Sequence, residues 1–391
     1  MHKITLKPGK EPSILRFHPW IFSGAIKNIE GNLTEGELVR VFSSKNEFLA
    51  IGQYQIGSIA VRIVTFSDVN VDYSFWKQRI QNAYALRKSL NLVDNKLTNV
   101  YRLIHGEGDG FPGLIIDIYD QTAVLQFHTV GMFLVKDDIV RALLEVMGNR
   151  ITAIYDKSEG TLPFKAKVKA ENGYIYGNAE PTPVMEYGNK FLVDWVEGQK
   201  TGFFVDQREN RKLVEQYAKD RSVLNVFGYT GGFSVYALRG GANLVHSVDS
   251  SEKAIELTNR NVALNFDNPS HEAFAVDAFE YLSGIDNKYD LIILDPPAFA
   301  KHNNVLQNAL QGYKKLNART ISKIKPGGIL FTFSCSQVVS KVHFRETIFS
   351  AAAIAKRPVR ILHQLSQPAD HPVNIYHPEG EYLKGLVLYV E

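Results

Sequence analysis

Cysteine is nearly absent from this 391-residue sequence, which contains one, Cys335. A single cysteine excludes an internal disulfide framework and any zinc site built from several cysteines, so any thiol chemistry depends on Cys335 and no metal is expected. Long apolar runs are also missing. None approaches the roughly 20 residues that cross a bilayer, and the first ten residues lack the apolar core of a signal peptide. We therefore expect a cytoplasmic protein with no membrane partner.

A strong excess of charge of either sign is missing as well. The formal net charge is +3, from 44 basic and 41 acidic side chains. This balance permits a nucleic-acid partner without requiring one. Any basic surface has to arise from folding, because no linear tract of lysine and arginine supplies it.

Length and patterning divide the chain into three predicted domains. Residues 1–72 contain short β-rich runs separated by Gly, Asn and Ser, which is typical of a small barrel. Residues 73–183 combine a helical pattern over 76–90 with strand patterns, one of them over 124–130, in an α+β module. Residues 184–391 alternate strands with helices, which indicates an α/β fold with a mostly parallel, doubly wound sheet.

The third domain is organised around residues 222–249. A buried strand over 223–227 leads into the glycine-rich turn GYTGG (228–232), a short helix and a second strand that ends at Asp249. Such a turn lets a ligand approach bare backbone, and a carboxylate at the end of the next strand suits the two hydroxyls of a ribose. The turn departs from the dinucleotide pattern G-x-G-x-x-G and resembles the loop that holds S-adenosylmethionine (SAM) in class I methyltransferases.

Acidic residues close three strands of this domain: Asp249, Asp277 and Asp295. The carboxyl ends of parallel strands share one edge of a sheet, so these side chains are expected to cluster there. With SAM in the turn, Asp249 would bind the ribose hydroxyls, and Asp277 the adenine amino group beside the N–H of Ala278. A strand-end carboxylate can instead cap the following helix, and this alternative is open for Asp277.

The motif Asp295-Pro296-Pro297 resembles the D/N-P-P motif of methyltransferases that act on planar nitrogens or on bases. Two prolines fix φ and remove two backbone donors, which leaves carbonyl groups to face a bound base. The Asp295 carboxylate can then accept a hydrogen bond from an exocyclic amino group.

Cys335 follows a predicted strand over 329–334, at the same edge of the sheet. A thiolate that adds to carbon-6 of a pyrimidine makes carbon-5 nucleophilic toward a methyl donor, and loss of the carbon-5 hydrogen then expels the thiol. This chemistry needs a reactive cysteine close to an acid, and Asp295 is placed to be that acid. The alternative is an inert core cysteine. The flanking serines and the Asp-Pro-Pro strand favour the nucleophile.

Several segments together carry a family resemblance: HGEGDGFPGLIID, GQKTGFFVDQRENR, NVFGYTGGFS, DPPAF, PGGILFTFSCS, ADHP and YLKG. They span almost the whole chain, which is similar to the PUA-containing class I methyltransferases that form 5-methylcytosine in 23S ribosomal RNA. The resemblance implies an N-terminal PUA-like RNA-binding domain, a central EEHEAD-type domain and a Rossmann-like catalytic domain. The catalytic sheet would have seven strands, the last one antiparallel. SAM would be the cofactor and large-subunit ribosomal RNA the partner.

The same resemblance implies the residues of the site. Some other RNA enzymes that form 5-methylcytosine carry their nucleophile just after the Asp-Pro pair. Ala298 and Phe299 stand there in this chain, so the nucleophile would be Cys335, with Asp295 beside it. Arg208 would face the methionine carboxylate. The SAM pocket would be bordered by Phe203, Gln207, Arg208, Phe227, Gly228, Tyr229, Thr230, Gly231, Asp249, Ser250, Asp277, Ala278 and Asp295, and the substrate by Pro296, Pro297, Phe299 and His371.

Some points stay open at this level. The base that removes the carbon-5 hydrogen is a water, Asp295 or His371, and His371 is equally a structural turn residue. The His18-Pro19-Trp20 segment is either an RNA contact or a buried plug. One alternative function is methylation of guanine or an exocyclic amino group through Asp-Pro-Pro. A related branch of the family that methylates guanine lacks the cysteine, so Cys335 argues for cytosine. Another is a non-enzymatic RNA-binding assembly factor. A homodimer is compatible with all of these.

Overall fold

The structure is a computed structural model that describes residues 1–163, 168–300 and 302–391. The contacts within the chain divide it into two compact units. The first comprises Met1–Met185, Val193–Val205 and Ala369–Gly380, and the second Glu186–Leu192, Asp206–Pro368 and Glu381–Glu391. Within the described ranges, no helix is both long and apolar enough to cross a membrane.

The first unit begins with a six-stranded sheet in the order β2-β6-β5-β4-β1-β3. Strands β1 and β4 run parallel, and the other neighbours are antiparallel. In β4, Val39 and Val41 are fully buried and Arg40 is not, the period of two expected of a strand with one face on a core. The elements are β1 (His2–Leu6), α1 (Pro12–Leu15), β2 (Trp20–Phe22), β3 (Ile26–Ile29), β4 (Leu38–Phe42), β5 (Phe48–Tyr54) and β6 (Ile59–Thr65).

A five-stranded sheet follows in the same unit, in the order β11-β10-β9-β8-β7. The helix predicted over 76–90 is observed as α2, which begins after Asp72, whose side chain accepts a hydrogen bond from the Phe75 amide. The elements are α2 (Tyr73–Ser89), β7 (Val100–His105), β8 (Leu114–Tyr119), β9 (Thr122–Phe127), α3 (Val130–Leu134), α4 (Lys136–Met147), β10 (Ala153–Asp156) and β11 (Gly173–Tyr176).

One predicted strand of this segment is too long. The strand expected over 124–130 ends at Phe127, and Val130 is the first residue of α3. The side chain of Thr129 accepts a hydrogen bond from the Met132 amide and caps that helix. A threonine that satisfies an unpaired amide of the first turn favours the helix over continued strand.

A two-stranded sheet of β12 and β13 comes next along the chain, and β12 spans the boundary between Met185 of the first unit and Glu186 of the second. The seven-stranded sheet that follows lies in the second unit. The elements are β12 (Val184–Glu186), β13 (Asn189–Phe191), α5 (Arg208–Tyr217), β14 (Ser222–Val226), α6 (Gly232–Arg239), β15 (Leu244–Asp249), α7 (Glu252–Ala263), β16 (His271–Ala275), α8 (Ala278–Tyr281), β17 (Leu291–Leu294), α9 (Leu306–Lys323), β18 (Gly328–Ser334), α10 (Lys341–Ala355), β19 (Val359–Leu365) and β20 (Lys384–Val390).

The order of this sheet is β16-β15-β14-β17-β18-β20-β19, and β20 is antiparallel to both of its neighbours. Successive residues of the central strands pack into different cores: Val223 and Ile293 belong to one apolar cluster, and Leu224 and Ile292 to another. Strands covered on both faces have to be apolar throughout, as Leu291–Leu294 is. The carboxyl ends of β14, β15, β17 and β18 meet at one edge, which is where the site lies.

Candidate active site

The turn after β14 has a constrained backbone. Phe227 and Tyr229 have φ values of 62° and 45°, in the left-handed region that costs such residues about 1–2 kcal/mol. Gly231 has a φ of 75°, and a Cβ atom there would lie 2.7 Å from Cγ2 of Thr258. Only glycine therefore fits this position. Conformations of this kind persist where the surroundings enforce them, and they cluster at ligand sites.

Helix α7 holds the turn in place. The Thr258 hydroxyl donates a hydrogen bond to the Tyr229 carbonyl at 2.9 Å, and the Asn261 side-chain amide donates to the Thr230 carbonyl at 2.8 Å. Helix α6 begins directly after the turn, and its N-cap is Gly231, which has no side chain to offer the first amides of the helix. The amide groups of that first turn suit a negatively charged or polar ligand.

Asp249, the last residue of β15, is tied to the same turn. Its Oδ2 accepts a hydrogen bond from the Tyr229 amide at 3.0 Å, and its Oδ1 accepts one from the Ser251 amide at 3.0 Å. Ser250, between them, is exposed. The carboxylate is therefore held in one orientation next to the turn. Each carboxylate oxygen has a further lone pair with which to bind a ligand hydroxyl.

Asp277 adopts the capping role that the sequence left open. It lies two residues beyond β16 and is exposed, and its Oδ1 accepts hydrogen bonds from the Phe279 and Glu280 amides at 2.8 Å and 3.0 Å. Among the described residues, Oδ2 makes no hydrogen bond, so one oxygen faces outward. Ala278, the first residue of α8, is buried.

Asp295 lies directly after β17, and its carboxylate is oriented by a glutamine. The side-chain amide of Gln207 donates a hydrogen bond to Asp295 Oδ2 at 3.0 Å. Its carbonyl in turn accepts one from the Asn210 side chain at 2.6 Å. Gln207 is nearly fully buried, so this chain of hydrogen bonds fixes the carboxylate. The sequence predicted Gln207 as a cofactor contact and missed this positioning role.

The thiol of Cys335 lies beside the Asp-Pro-Pro segment. Cys335 is half-buried and follows β18, and its Sγ is 3.8 Å from the carbonyl oxygen of Pro296. Pro296 is buried and Pro297 is exposed, so the segment forms part of the surface next to the thiol. Partial exposure of this kind is compatible with a nucleophile.

The residue after the cysteine anchors its loop. Ser336 is fully buried, and its Oγ accepts a hydrogen bond from the Ala300 amide at 3.3 Å and lies 3.0 Å from the Tyr313 hydroxyl. Burial raises the pKa of Tyr313, which keeps this hydroxyl neutral. The Tyr313 ring packs against Phe299 with centroids 4.5 Å apart, so one side of Phe299 is already covered.

Arg208 and Phe203, both predicted to contact the cofactor, lie in different units. Arg208 is buried in α5, and its Nε lies 3.2 Å from Oε1 of Glu209, whose side chain is about half exposed. Phe203 belongs to the first unit, where it is buried and its amide donates to the Tyr119 hydroxyl at 3.3 Å.

His371 also belongs to the first unit and is fully buried there. Its Nδ1 lies 3.1 Å from Oδ1 of Asp370, and its ring centroid is 5.0 Å from that of His105. Asp370 is bound by the Arg102 amide at 3.0 Å and, through its carbonyl, by the Arg87 guanidinium at 2.7 Å. These contacts favour the structural alternative for His371.

Trp20 in the first unit is only half-buried. Its indole N–H donates to Oε1 of Glu107 at 2.8 Å, and its ring lies 4.3 Å from that of His377. The same Glu107 oxygen accepts from Arg62 at 2.6 Å. The indole is thus held in a polar network, which does not fit a simple buried plug.

Lys384 is a residue of this edge that the sequence did not single out. It begins β20, is 4% exposed, and its Nζ donates to the Ser336 carbonyl at 2.6 Å. A lone lysine at the start of an otherwise apolar strand was the available signal. It carries little weight without knowledge of what lies beside it, because lysine at a strand end is usually exposed.

Comparison with known proteins gives one family match near the N-terminal end and a second that covers most of the remaining chain. A family described as a PUA-like domain matches residues 4–66, and one described as an S-adenosylmethionine-dependent methyltransferase matches residues 101–374. Two curated relatives are named ribosomal RNA large subunit methyltransferase I. The one from Enterobacter sp. (strain 638) is 39% identical over 99% of this chain and 99% of its own. The one from Alteromonas mediterranea is 39% identical over 99% of this chain and 98% of its own.

Two solved structures resemble the whole chain. One is a methyltransferase complexed with SAH, with a TM-score of 0.87, 25% identity and full coverage of both chains. Another, from Streptococcus mutans, has a TM-score of 0.85 and 24% identity, again with full coverage of both chains.

Proposed function

Because this chain belongs to the S-adenosylmethionine-dependent methyltransferase family, with a PUA-like domain at its N-terminal end, we propose that it forms 5-methylcytosine in large-subunit (23S) ribosomal RNA. The substrate class comes from relatives that are 39% identical over nearly the whole chain and are named for this RNA. SAM is the cofactor of the family.

One observation supports cytosine as the target base. Cys335 lies next to Pro296, and Asp295 directly precedes Pro296 at the end of β17. The Cys335 thiolate adds to carbon-6 of cytosine, and the electron pair of the 5,6 double bond becomes available at carbon-5. Asp295 binds the exocyclic amino group and supports charge on the ring. Loss of the proton from carbon-5, after that carbon has gained its methyl group, restores the double bond and breaks the bond to sulfur.

SAM, when bound, supplies an electrophilic methyl group. We assign its ribose hydroxyls to Asp249 and its adenine to the outward oxygen of Asp277 with the Ala278 amide. The turn 227–231 would border the methionine part, with Arg208 as the cation for its carboxylate and Gln207 nearby. Buried Gln207 can serve both Asp295 and this pocket, since a side-chain amide has two donor hydrogens.

The RNA-binding part of the proposal concerns the other domains. We divide the chain into a PUA-like RNA-binding domain (1–72), a central EEHEAD-type domain (73–183) and the catalytic domain (184–391), in a cytoplasmic protein. A target cytosine within a helix has to leave the stack to reach Cys335. Phe299, Pro296 and Pro297 would border the extruded base. The proton acceptor is then Asp295 or a water, given the structural contacts of His371.

The test is Cys335→Ala with ribosomal RNA from a strain that lacks this gene. Wild-type protein should add one methyl group, recovered as 5-methylcytosine by nucleoside mass spectrometry, and Cys335→Ala should add none. RNA containing 5-fluorocytosine should trap a covalent complex with wild type only. Calorimetry with SAH provides the folding control, because the variant keeps the cofactor site. Near-normal methylation by Cys335→Ala would overturn the proposal in favour of methylation at an amino group.

A further inference from the structure

Lys384 is a buried cation next to the proposed nucleophile. Among the lysines that the structure describes, it is the one whose side chain is buried. It pairs across the sheet with Ser334, and its Nζ donates to the Ser336 carbonyl at 2.6 Å. The two residues it contacts flank Cys335 on either side. The ammonium group is therefore held against the short loop that carries the thiol.

Other buried cations of this protein have carboxylate partners. The Arg211 guanidinium binds the fully buried Glu186 carboxylate at 2.7 Å, and Arg87 binds both oxygens of Asp109. In the described part of the chain, no carboxylate lies within ion-pair distance of Lys384. An unpaired buried ammonium is costly, so an anion is expected beside it.

The charged groups around Lys384 leave one candidate for that anion. Lys341 and Glu381 also act on it, but they are about half exposed and pair with each other at 2.7 Å, so their charges largely cancel. Tyr313, whose hydroxyl lies 3.0 Å from Oγ of Ser336, is neutral because burial raises its pKa. Burial lowers the pKa of Lys384 to about 8, and the charge on Cys335 opposes that effect. At neutral pH the lysine is still largely protonated.

We propose that Lys384 is a positioning residue whose ammonium group pairs with Cys335 and keeps its sulfur as the thiolate. The proposal rests on the proposed function, in which that thiolate adds to cytosine. It also gives the Ser336 carbonyl contact a purpose: the carbonyl anchors the flexible lysine chain, so the charge stays beside the sulfur as substrate enters. Removing the charge should leave the cysteine in place but protonated at neutral pH.

The single cysteine of the chain makes this directly measurable. Iodoacetamide reacts with thiolate, so the pH dependence of whole-protein alkylation reports the titration of Cys335 without RNA or SAM. For Lys384→Met we expect the midpoint of that profile to rise by about 1–3 pH units. Lys384→Arg should keep most of the wild-type profile. Lys356→Met, at an exposed lysine directly after α10, is the matched control and should leave it unchanged.

Two results would overturn the inference. One is a wild-type midpoint at the ordinary thiol value of about 8.5, which requires no variant. The other is an unchanged midpoint in folded Lys384→Met. If Lys384→Met fails to fold, Lys384→Gln replaces it, because glutamine keeps a donor for the Ser336 carbonyl and carries no charge. An unchanged alkylation midpoint in Lys384→Gln would overturn the inference in the same way. A raised midpoint combined with active Cys335→Ala would leave the ion pair standing and refute the proposed function instead.

Discussion

The Sγ atom of Cys335 lies 3.8 Å from the carbonyl oxygen of Pro296, 39 positions away in sequence. Parallel pairing of β17 and β18 causes this proximity, because Leu294 is in register with Thr332 and both strands end at the same edge. Val226 is in register with Leu294 on the other side, which brings the glycine turn to that edge too. The glycine turn, the Asp295 carboxylate and the Cys335 thiol thus follow β14, β17 and β18, which are neighbours in the sheet.

Gln207→Leu should impair turnover more than cofactor binding. The substitution removes the donor that orients Asp295 at 3.0 Å, and a hydrogen bond to a charged group is worth about 1.5–3 kcal/mol. We expect kcat to fall by about 10- to 100-fold. Steady-state methyl transfer and SAH calorimetry separate the two effects. Gln216→Leu, at an exposed position of α5, is the control. Loss of SAH affinity with unchanged kcat would contradict the positioning role.

Asp249→Asn should weaken cofactor binding. The carboxylate accepts hydrogen bonds from the Tyr229 and Ser251 amides, and asparagine has one acceptor oxygen and no charge. We expect the Kd for SAH, measured by calorimetry, to rise by about 10- to 100-fold. Asp267→Asn, at an exposed aspartate after α7, should bind as wild type does. An Asp249→Asn affinity equal to that of the control would remove Asp249 from the pocket.

Arg211→Met should destabilise the second unit strongly. It leaves the buried Glu186 carboxylate, now bonded to the Tyr236 hydroxyl at 3.0 Å, without its cation. Breaking a buried pair in this way costs about 3–5 kcal/mol. Urea denaturation should show a much lower midpoint, partly recovered in Glu186→Gln/Arg211→Met. The surface pair of Lys323 with Asp286 is the comparison: Asp286→Asn should lower the urea midpoint far less, because water screens an exposed pair. Equal losses of stability in Arg211→Met and Asp286→Asn would contradict this prediction.

Acid should destabilise the second unit through His271. Burial lowers the pKa of His271 from 6.5 to about 4, and its Nε2 lies 2.8 Å from the Ser247 hydroxyl. Between these values the unfolded chain binds a proton that the folded chain does not, so stability falls as pH falls from 6.5 toward 4. The thermal midpoint of wild type should therefore drop more than that of His271→Gln on acidification. His302→Gln, at an exposed histidine, should follow wild type.

Local pattern was enough for the elements and for several site residues. Apolar runs and their breaks predicted β14, β17 and β18, and the residues placed after them, Asp295 and Cys335, stand at one edge as expected. This works because side chains alternate in a strand and parallel strands end together, so position along the chain alone tells which residues share an edge.

By itself, then, the sequence determined the order of the elements, the positions of Asp295 and Cys335 directly after their strands, and the family. Only the tertiary structure decided which distant partners surround those residues: Gln207 for Asp295, and Arg102 and Arg87 for the Asp370 that contacts His371. It also decided that Lys384 is buried beside the cysteine loop. Burial and hydrogen-bond partners depend on residues far apart in the chain, and no local spacing encodes them.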